Sequence, residues 1–494
     1  MIMPKVHRAA PVRLSRFTHL TLWFHWYARQ SHLRHRIEDQ LAVREALVDL
    51  DRTRPGVGDR LTGALREAIA GRRIPPGTRL PSSRDLAVDL GVSRGLVVSA
   101  YEQLVAEGRL TSRRGSGTVV AASAEVAAPG HTPPAPTAAG VAPLRPGVPD
   151  LGMFPRAAWR RAYERALSTA LDSDLDYTDP AGVPRLRAEL AGYLGRVRAA
   201  RVDPAAIVVT TGAAQALSLL GRVLAARGMH EVGVEDPGSS GIRDHLLAHG
   251  LRLRPVPVDE RGLVTSALGE VRAVFVTPAH QFPVGVVLAP DRRAELIAWA
   301  RRTGGLVIED DYDAEFRYDR EPVGCLQGLA PDVVALVGSA SKALAPGLRR
   351  GWLAPPPGWL AAVRQAKCDA DMGGSALEQL AFAELLASGG YDRHLRRARR
   401  AQRTRRDALV GALRRRLPQV RVSGIAAGLH LVVELPAGVD DRALAVRARE
   451  AGLGPLALSD LRLGASGPPG LVLGYAAQSP DELAAAVATL AGLL

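Results

Sequence analysis

The first regular pattern of hydrophobic positions along the chain has the period of a helix. Between residues 59 and 70, apolar side chains recur at spacings of three and four, at Leu61, Leu65, Ala68 and Ile69. Such spacing places them on one face and predicts an amphipathic helix. A second helix is predicted to begin at Ser82, which has capping-box spacing with Asp85, and to end at Gly91. A third is predicted to begin at Ser93 and to run to about residue 107.

A pair of short strands is predicted directly after the third helix. Residues 110–112 and 118–120 have strand-forming side chains, and the Arg-Arg-Gly-Ser-Gly segment between them is typical of a tight loop. Two helices joined through Gly-Val-Ser form a helix-turn-helix, and a hairpin after them adds a wing. We therefore predict an N-terminal winged helix-turn-helix, mostly α-helical with a β-wing.

Farther along the chain, helical patterns alternate with short segments that are apolar and β-branched. The predicted strands cover residues 207–211, 271–277, 306–310 and 333–337. Such strands separated by helices are typical of a mostly parallel sheet with helices on both faces. The predicted domains are an extension over 1–45, disordered or preceding the true start, the winged unit over 46–120, an Ala/Pro-rich linker over 121–142 and an α/β domain over 143–494.

The composition makes each lysine informative. The 64 basic residues include only three lysines, Lys5, Lys342 and Lys367. Arginine replaces lysine at most surface positions, but it cannot form an imine with an aldehyde, which requires a primary amine.

A net charge of +14 agrees with a nucleic-acid partner. Two cysteines fit a reducing compartment, and there is no apolar run of about 20 residues, so we expect a cytoplasmic protein without a membrane partner.

The start of the third predicted helix carries the candidate contacts to double-stranded DNA. In a helix-turn-helix this end enters the major groove, where Arg94 would reach a guanine edge or a phosphate. Arg84 begins the second helix beside the DNA backbone. The glycines of the wing allow main-chain amides to approach the minor groove closely.

This part of the chain resembles the DNA-binding domain of the GntR family. The resemblance rests on Leu-Pro-Ser-Ser-Arg-Asp-Leu-Ala at 80–87, Gly-Val-Ser-Arg at 91–94 and Arg-Arg-Gly-Ser-Gly-Thr at 113–118. It implies that an operator is touched by Arg84, Ser93, Arg94, Arg113, Gly115 and Gly117. One departure is Gly95-Leu96, where the family often has Thr or Asn before an apolar residue; this would change which bases are read.

The strongest candidate chemistry lies in the segment Ser-Ala-Ser-Lys that ends at Lys342 and precedes Arg349. This lysine follows a predicted strand and sits among small residues, which suits an amine that holds an aldehyde. Asp310 ends another predicted strand, where α/β sheets bind ligands. A carboxylate on a pyridine nitrogen keeps the ring protonated, and free amides at the helix start after residue 211 would hold a phosphate. No His or Cys ligand set accompanies the acidic segment, so we predict no metal.

Together these motifs resemble the aminotransferase-like domain of the MocR/GabR subfamily of GntR regulators, whose fold is that of the fold-type I transferases dependent on pyridoxal 5'-phosphate (PLP). The resemblance covers residues from about 47 to the C-terminus, with Tyr-Thr-Asp-Pro-Ala-Gly at 177–182 and Glu-Asp-Asp-Tyr-Asp at 309–313. It implies that Lys342 forms the internal aldimine, that Asp310 pairs with the pyridine nitrogen and that Tyr312 bonds the ring hydroxyl.

The same resemblance implies a set of phosphate and ring contacts. The phosphate would be held by Ser339, Arg349 and the amides of Gly212, Ala213 and Ala214. Tyr177 would reach the phosphate of the neighbouring subunit in a homodimer, and His280 and Gln281 would lie near the ring.

Three positions depart from the pattern of active aminotransferases. Ser239 stands where an aromatic residue would stack on the cofactor, and Phe282 stands where an Asn would bond the ring hydroxyl. Val472 stands where an arginine would clamp the substrate carboxylate; another arginine could substitute for it, and Arg243 or Arg350 is the best candidate. The sequence thus predicts an intact cofactor site and an altered amino-acid site.

Three functions are compatible with these motifs. In the first, PLP, or its adduct with a small amine or amino-acid effector, controls operator binding by a transcription regulator. In the second, an active PLP-dependent aminotransferase carries an autoregulatory DNA-binding domain. In the third, the second domain only dimerises. The fused winged unit favours the first over the second, and Lys342, Asp310 and Arg349 favour it over the third. We expect little net transamination, with residual half-reactions left open.

Residues 393–421 contain many arginines, which could touch DNA or form a solvated helix face.

Overall fold

A computed structural model describes residues 39, 43 and 47 and residues 56–113, 117–122, 141–318, 323–464 and 467–494. The chain divides into two compact units between residues 137 and 138. The fold of each unit follows from its own sequence pattern.

Three helices and a hairpin build the first unit. The elements are α1 (Val57–Ala70), α2 (Ser83–Leu90), α3 (Arg94–Ala106), β1 (Leu110–Arg113) and β2 (Gly117–Val120), with β1 antiparallel to β2. Their apolar faces meet in one core that includes Leu61, Leu65, Leu86, Val97 and Leu104. The predicted winged helix-turn-helix is confirmed.

Both caps predicted for the helix-turn-helix are present. The Ser82 side chain accepts a hydrogen bond from the Asp85 amide at 3.2 Å, and the Ser93 side chain accepts one from the Leu96 amide at 3.4 Å. Between the two helices, Gly91 has φ of +64°, a left-handed conformation that glycine adopts at little cost. These local signals fix the short turn that orients α3 against α2.

Residues on both sides of the predicted boundaries of the winged unit contact its core. Val43 and Leu47 are buried in the core of the first unit, and Asp39 accepts a hydrogen bond from the Arg79 amide. The predicted extension over 1–45 therefore overlaps this unit. At the other end, the Ala121 amide donates to the Arg109 carbonyl at 2.9 Å. Most of the predicted linker, residues 123–140, lies outside the described residues.

The second unit contains ten helices and twelve strands within its described residues. They are α4 (Arg156–Thr169), α5 (Pro184–Arg198), β3 (Val208–Thr210), α6 (Ala213–Ala226), β4 (Glu231–Asp236), α7 (Ser240–Leu247), β5 (Arg252–Asp259), β6 (Gly262–Leu263), β7 (Ala273–Val276), α8 (Pro290–Thr303), β8 (Leu306–Asp311), β9 (Val334–Ser339), β10 (Gly351–Ala354), α9 (Pro357–Asp371), α10 (Ala376–Ala387), α11 (Gly390–Arg416), β11 (Arg421–Ser423), β12 (His430–Glu434), α12 (Asp441–Glu450), β13 (Leu456–Ala457), β14 (Gly470–Gly474) and α13 (Pro480–Ala491). None of the helices described in either unit has both the length and the apolarity to span a bilayer.

A large sheet and a small sheet organise these elements. The large sheet has eight strands in the order β3-β10-β9-β8-β7-β4-β5-β6, and β10 and β6 are antiparallel to their neighbours. The small sheet is antiparallel, in the order β11-β12-β14-β13. All four predicted strands are present, as β3, β7, β8 and β9.

Helices cover both faces of the large sheet, as the continuous apolar strands predict. Successive side chains of a strand point to opposite faces. On β8, Val307 therefore packs against the cluster around α8, whereas Ile308 packs against the cluster formed by α6 and α9. Polar side chains are left for the carboxyl ends of the strands, where the chain turns into loops.

Candidate cofactor pocket and DNA-binding helix

A cavity of about 340 Å³ opens at the carboxyl ends of β8 and β9. Ligands bind at this edge in α/β folds because the loops that follow parallel strands converge there. The cavity brings together seven of the predicted cofactor residues, namely Ala213, Ala214, Asp310, Tyr312, Ser339, Lys342 and Arg349. Residues that the sequence prediction omitted also line it, including Gly147, Thr277, Asp313, Ser341 and His430.

Three consecutive carboxylates at the end of β8 have different surroundings. Glu309 accepts hydrogen bonds from the amides of Leu326 and Gln327, at 2.9 and 3.0 Å. Asp311 forms a bidentate pair with Arg198, at 2.7 and 3.0 Å. Strand alternation directs the side chain between them, that of Asp310, into the cavity.

Asp310 is a buried acid with one oxygen atom that has no partner among the described residues. Its Oδ1 atom has no hydrogen bond to any residue that the structure describes. Burial raises the pKa of this carboxyl to about 7, and the charge of Asp311 adds to the rise. A buried acceptor without a donor is costly, so the carboxylate is matched to a cationic N–H group that enters the cavity. The protonated pyridine nitrogen of PLP is such a group.

Lys342 lies in the same cavity and donates to the Gly147 carbonyl at 2.5 Å. Burial lowers the pKa of its ammonium group, although the charges of Asp313 and Asp310 oppose the shift. A lowered pKa increases the fraction of neutral amine, which is the form that attacks a carbonyl carbon. The lysine is therefore suited to hold an aldehyde.

Hydroxyl groups, a guanidinium group and a helix start form what we call the phosphate end of the cavity. The Ser339 hydroxyl donates to that of Ser341 at 2.8 Å, and both line the cavity. Helix α6 begins at Ala213, so its first amides are free to bind an anion. Gly212 has φ of +105°, and a Cβ atom there would lie 2.9 Å from the Arg349 guanidinium group. Glycine thus permits Arg349 to lie against the start of α6.

A polar chain of side chains lies behind Tyr312. Its hydroxyl is 3.1 Å from His280 Nδ1, which is also 2.9 Å from an Asp313 carboxylate oxygen. His280 is buried and reaches the cavity through Tyr312, whereas Gln281 donates to the Pro237 carbonyl. His430 is close to the same group, with a ring centroid 5.1 Å from that of His280. Burial, followed by the charge of His280, lowers the pKa of His430 to about 4.

The prediction that no His or Cys ligand set accompanies the acidic segment is wrong for histidine. The ligand atoms of His280, Asp313 and His430 lie within 4.8 Å of one another. His280 and His430 are remote from Asp313 in sequence, and the fold brings them together from the loop after β7 and the start of β12. A search of neighbouring sequence positions could not find this group.

One part of the cavity lining is apolar. Phe282 lines it and packs against a buried cluster of Val432, Leu458, Leu461 and Val472; we call Phe282 and the cluster behind it the apolar side. Val472 is 0% exposed. Ser239 also lines the cavity, at the start of α7.

Neither arginine expected to replace the carboxylate clamp reaches the cavity. Arg243 donates to the carbonyls of Gly238 and Leu461, at 2.8 and 3.0 Å. Arg350 is paired with Glu378 and donates to the Arg349 carbonyl. That expectation is therefore wrong, and Lys342 and Arg349 are the cationic side chains among the described lining residues.

Tyr177 lies at the surface of its own chain, outside the cavity lining. It is 85% exposed, and Leu171 and Leu175 nearby are also exposed. A role for Tyr177 in the cavity of a second chain remains a prediction.

The predicted DNA contacts lie on the exposed side of the helix-turn-helix. Arg84 and Arg94 are exposed, and Arg94 Nε is 3.4 Å from the Ser83 hydroxyl. Ser93 is the cap of α3, so its side chain also has a structural role. Arg113 ends β1, and Gly117 begins β2 with the Arg79 side chain beside it. Gly115 lies outside the described residues.

Comparisons with known proteins agree with both units. The model of bacterial regulatory proteins of the gntR family matches residues 58–120, and that of aminotransferase class I and II matches residues 147–455. The pyridoxine biosynthesis transcriptional regulator PdxR of Corynebacterium glutamicum is 38% identical over 437 residues, which are 86% of this chain and 92% of the relative. The probable rhizopine catabolism regulatory protein MocR of Rhizobium meliloti is 31% identical, over 85% of this chain and 90% of the relative.

Solved structures resemble the second unit. An archaeal alanine:glyoxylate aminotransferase has 27% identity and a TM-score of 0.67, with 72% of this chain and 91% of that chain covered. LysN, an α-aminoadipate aminotransferase from Thermus thermophilus, has 29% identity and a TM-score of 0.64, with 72% and 92% covered. A winged helix-turn-helix joined to this fold defines a class of DNA-binding transcription regulators built on the aminotransferase scaffold. The chain belongs to the MocR/GabR subfamily of GntR-family transcription regulators.

Proposed function

We propose that this regulator binds PLP at Lys342 and that the bound cofactor sets its affinity for an operator. The observation that carries the proposal is the buried Oδ1 atom of Asp310, which has no hydrogen-bond partner among the described residues. It lies in the same cavity as the half-buried Lys342 and the start of helix α6, whose first amides are free for an anion. These three features match the pyridine nitrogen, the aldehyde and the phosphate of one molecule. The PLP-dependent aminotransferase fold supports the same proposal.

Each group of side chains has a distinct task in this proposal. The Lys342 amine would hold the aldehyde carbon covalently, and Asp310 would hold a proton on the ring nitrogen. Ser339, Ser341, Arg349 and the amides of Gly212, Ala213 and Ala214 would bind the phosphate. Tyr312, oriented by His280, would donate to the ring hydroxyl. When bound, PLP supplies an aldehyde and an electron-withdrawing ring.

The apolar side favours PLP itself as the signal over an amino-acid adduct. An α-carboxylate binds best to a bidentate arginine, and Val472 lies within an apolar cluster at the position where aminotransferases carry that arginine. A desolvated carboxylate without a cation is strongly disfavoured. We propose pyridoxine-biosynthesis genes as the targets, because the relative PdxR is named for them.

We also propose a homodimer in which Tyr177 reaches the phosphate end of the second chain's cavity. Its 85% exposure, beside two exposed leucines, supports an interface there. DNA would be read by α3 through Arg94, with Arg84 beside the DNA backbone. Contacts to DNA would also come from Ser93, Arg113 and the wing glycines Gly115 and Gly117, the glycines at the minor groove.

The test is operator binding by the full chain with and without PLP. Operators would be sought next to pyridoxine-biosynthesis genes and the regulator's own gene. PLP should change the Kd by roughly 5- to 150-fold, the usual range of coupling between two sites. Lys342→Ala should lose most of that response, and Arg94→Ala should weaken binding with or without PLP by about 1–3 kcal/mol. An equal Kd with and without PLP would refute the regulatory role of the cofactor.

A further inference from the structure

We propose that a stripe of arginines on helix α11 of the aminotransferase-like unit is a second DNA-binding surface, which contacts the phosphate backbone beside the operator. The stripe consists of Arg393, Arg396, Arg397, Arg400, Arg403, Arg414 and Arg415. This proposal rests on the proposed binding of DNA by the regulator and is independent of any effect of PLP.

The spacing of these residues places them on one face of a long helix. Helix α11 spans 27 residues, and steps of three, four and seven along it return to the same side. All seven arginines of the stripe are exposed. The opposite face, with Leu395, Leu409 and Leu413, is buried in the core of the unit.

The stripe lacks the carboxylate partners that many exposed arginines of this unit have. Elsewhere, Arg185 pairs with Glu384, Arg301 with Asp332, and Arg421 with Glu434. Among the residues that the structure describes, no arginine of the stripe has a carboxylate oxygen within 4.0 Å; Asp392 and Asp407 on the same helix pair instead with Arg196 and Arg406. Like charges at helical spacings repel each other, so an uncompensated stripe favours an anionic partner.

The length of the stripe suits duplex DNA. At 1.5 Å per residue, the distance from Arg393 to Arg415 along the helix is about 33 Å. One turn of DNA is about 34–36 Å, so the two ends of the stripe would meet phosphates about one turn apart. Each guanidinium group can also donate two parallel hydrogen bonds to the oxygens of one phosphate.

The exposed face favours DNA over an anionic membrane. A helix that lies on a membrane inserts an apolar face between the lipids. Here the apolar face is already buried, and the residues between the arginine clusters on the exposed side are Thr404, Asp407 and Gly411.

The test compares two quadruple variants of the full chain with equal loss of charge. The stripe variant is Arg396→Ala, Arg397→Ala, Arg400→Ala and Arg403→Ala. The control variant is Arg252→Ala, Arg302→Ala, Arg447→Ala and Arg449→Ala, which removes exposed arginines that are scattered over the same unit. Binding is measured on a short duplex that ends at the operator and on a long one with about 20 further base pairs, roughly two turns, on each side.

We expect the wild type and the control to bind the long duplex more tightly than the short one, and the stripe variant to lose this gain. Loss of up to four phosphate contacts should reduce the slope of log K against log salt by about 3 to 4 on the long duplex. Replacement of the same four residues by lysine should restore most of the slope. Equal melting temperatures of the two alanine variants verify that the fold is retained.

The proposal is overturned if the stripe variant and the control bind the long duplex equally, or if the stripe variant loses affinity only for phosphatidylserine vesicles. Failure of PLP to change binding to the short duplex would instead reject the cofactor proposal and leave this result intact.

Discussion

The phosphate end and the apolar side of one cavity have opposite characters. At the phosphate end, two serine hydroxyls, Arg349 and the start of α6 provide donors for an anion. On the apolar side, Phe282 and the cluster around Val472 provide no cation at all among the described residues. The difference supports the proposal that this chain retains a cofactor site but has no site for the carboxylate of an amino-acid substrate. Under that proposal, the two properties are separable in this fold.

The largest expected effect is at Lys342. Lys342→Ala should abolish the covalent bond to PLP completely, and Lys342→Arg should do the same although it keeps the charge, because a guanidinium cannot form an imine. The measurement is the cofactor mass on tryptic peptides after borohydride reduction. Lys367 is an internal control, because it is buried and paired with Asp371. A cofactor mass on the Lys367 peptide, or none on the Lys342 peptide of the wild type, would contradict the assignment.

The next largest effect is expected on the apolar side, from Val472→Arg. An unpaired guanidinium in this cluster should lower the free energy of unfolding by about 3–5 kcal/mol. Excess amino acid should then raise the melting temperature of the variant, because its carboxylate supplies the missing partner. Val472→Met is the uncharged control and should not respond to amino acid. If the wild type is stabilised by amino acids as much as the variant is, the apolar side does not exclude them.

A pH effect of about 3 kcal/mol is expected from His430, which lines the same cavity. Its pKa falls from an ordinary 6.5 to about 4 on folding. The unfolded chain therefore binds a proton that the folded chain rejects, and stability is lost as the pH falls from about 6.5 to 4. His430→Gln should reduce this loss by about 3 kcal/mol, whereas His230→Gln, at an exposed position, should not. Chemical denaturation at pH 7 and pH 4 checks the difference, and identical losses in all three proteins would argue against a neutral His430.

The smallest effect is expected at Ser239. An aromatic ring placed there by Ser239→Tyr should stack on the cofactor and contribute about 0.5–1.5 kcal/mol, or roughly a 2- to 10-fold lower Kd for PLP. Ser239→Ala is the control, because the serine side chain makes no capping hydrogen bond to α7. Absorbance titration measures both variants. Equal affinities would show that Ser239 does not face the ring of the cofactor.

Much of the fold could be predicted from local sequence signals. The serine caps of α2 and α3 and the β-branched strands β3, β7, β8 and β9 depend on residues that are close together in the chain. Strand β10 was not predicted, because its antiparallel position between β3 and β9 depends on distant pairings.

The candidate site shows the same limit. Asp310 and Lys342 could be found because each follows a strand of a recognisable motif. The contact of His280 with Tyr312 and Asp313 depends on the tertiary fold, and so does the engagement of Arg243 by backbone carbonyls. Sequence indicated which arginines were present near the motif, but only the structure shows what each one touches.

The scarcity of lysine has a consequence for regulation by acetylation. Within the part of the chain that the structure describes, Lys342 and Lys367 are the two lysines, and neither side chain is exposed. The positive charge of the described surface is therefore carried by arginine. Acetyltransferases that act on lysine amines have no target there, and a guanidinium keeps its proton at every physiological pH. The attraction of this surface for DNA is thus insensitive to two common means of neutralising charge, and ionic strength is left as its main control.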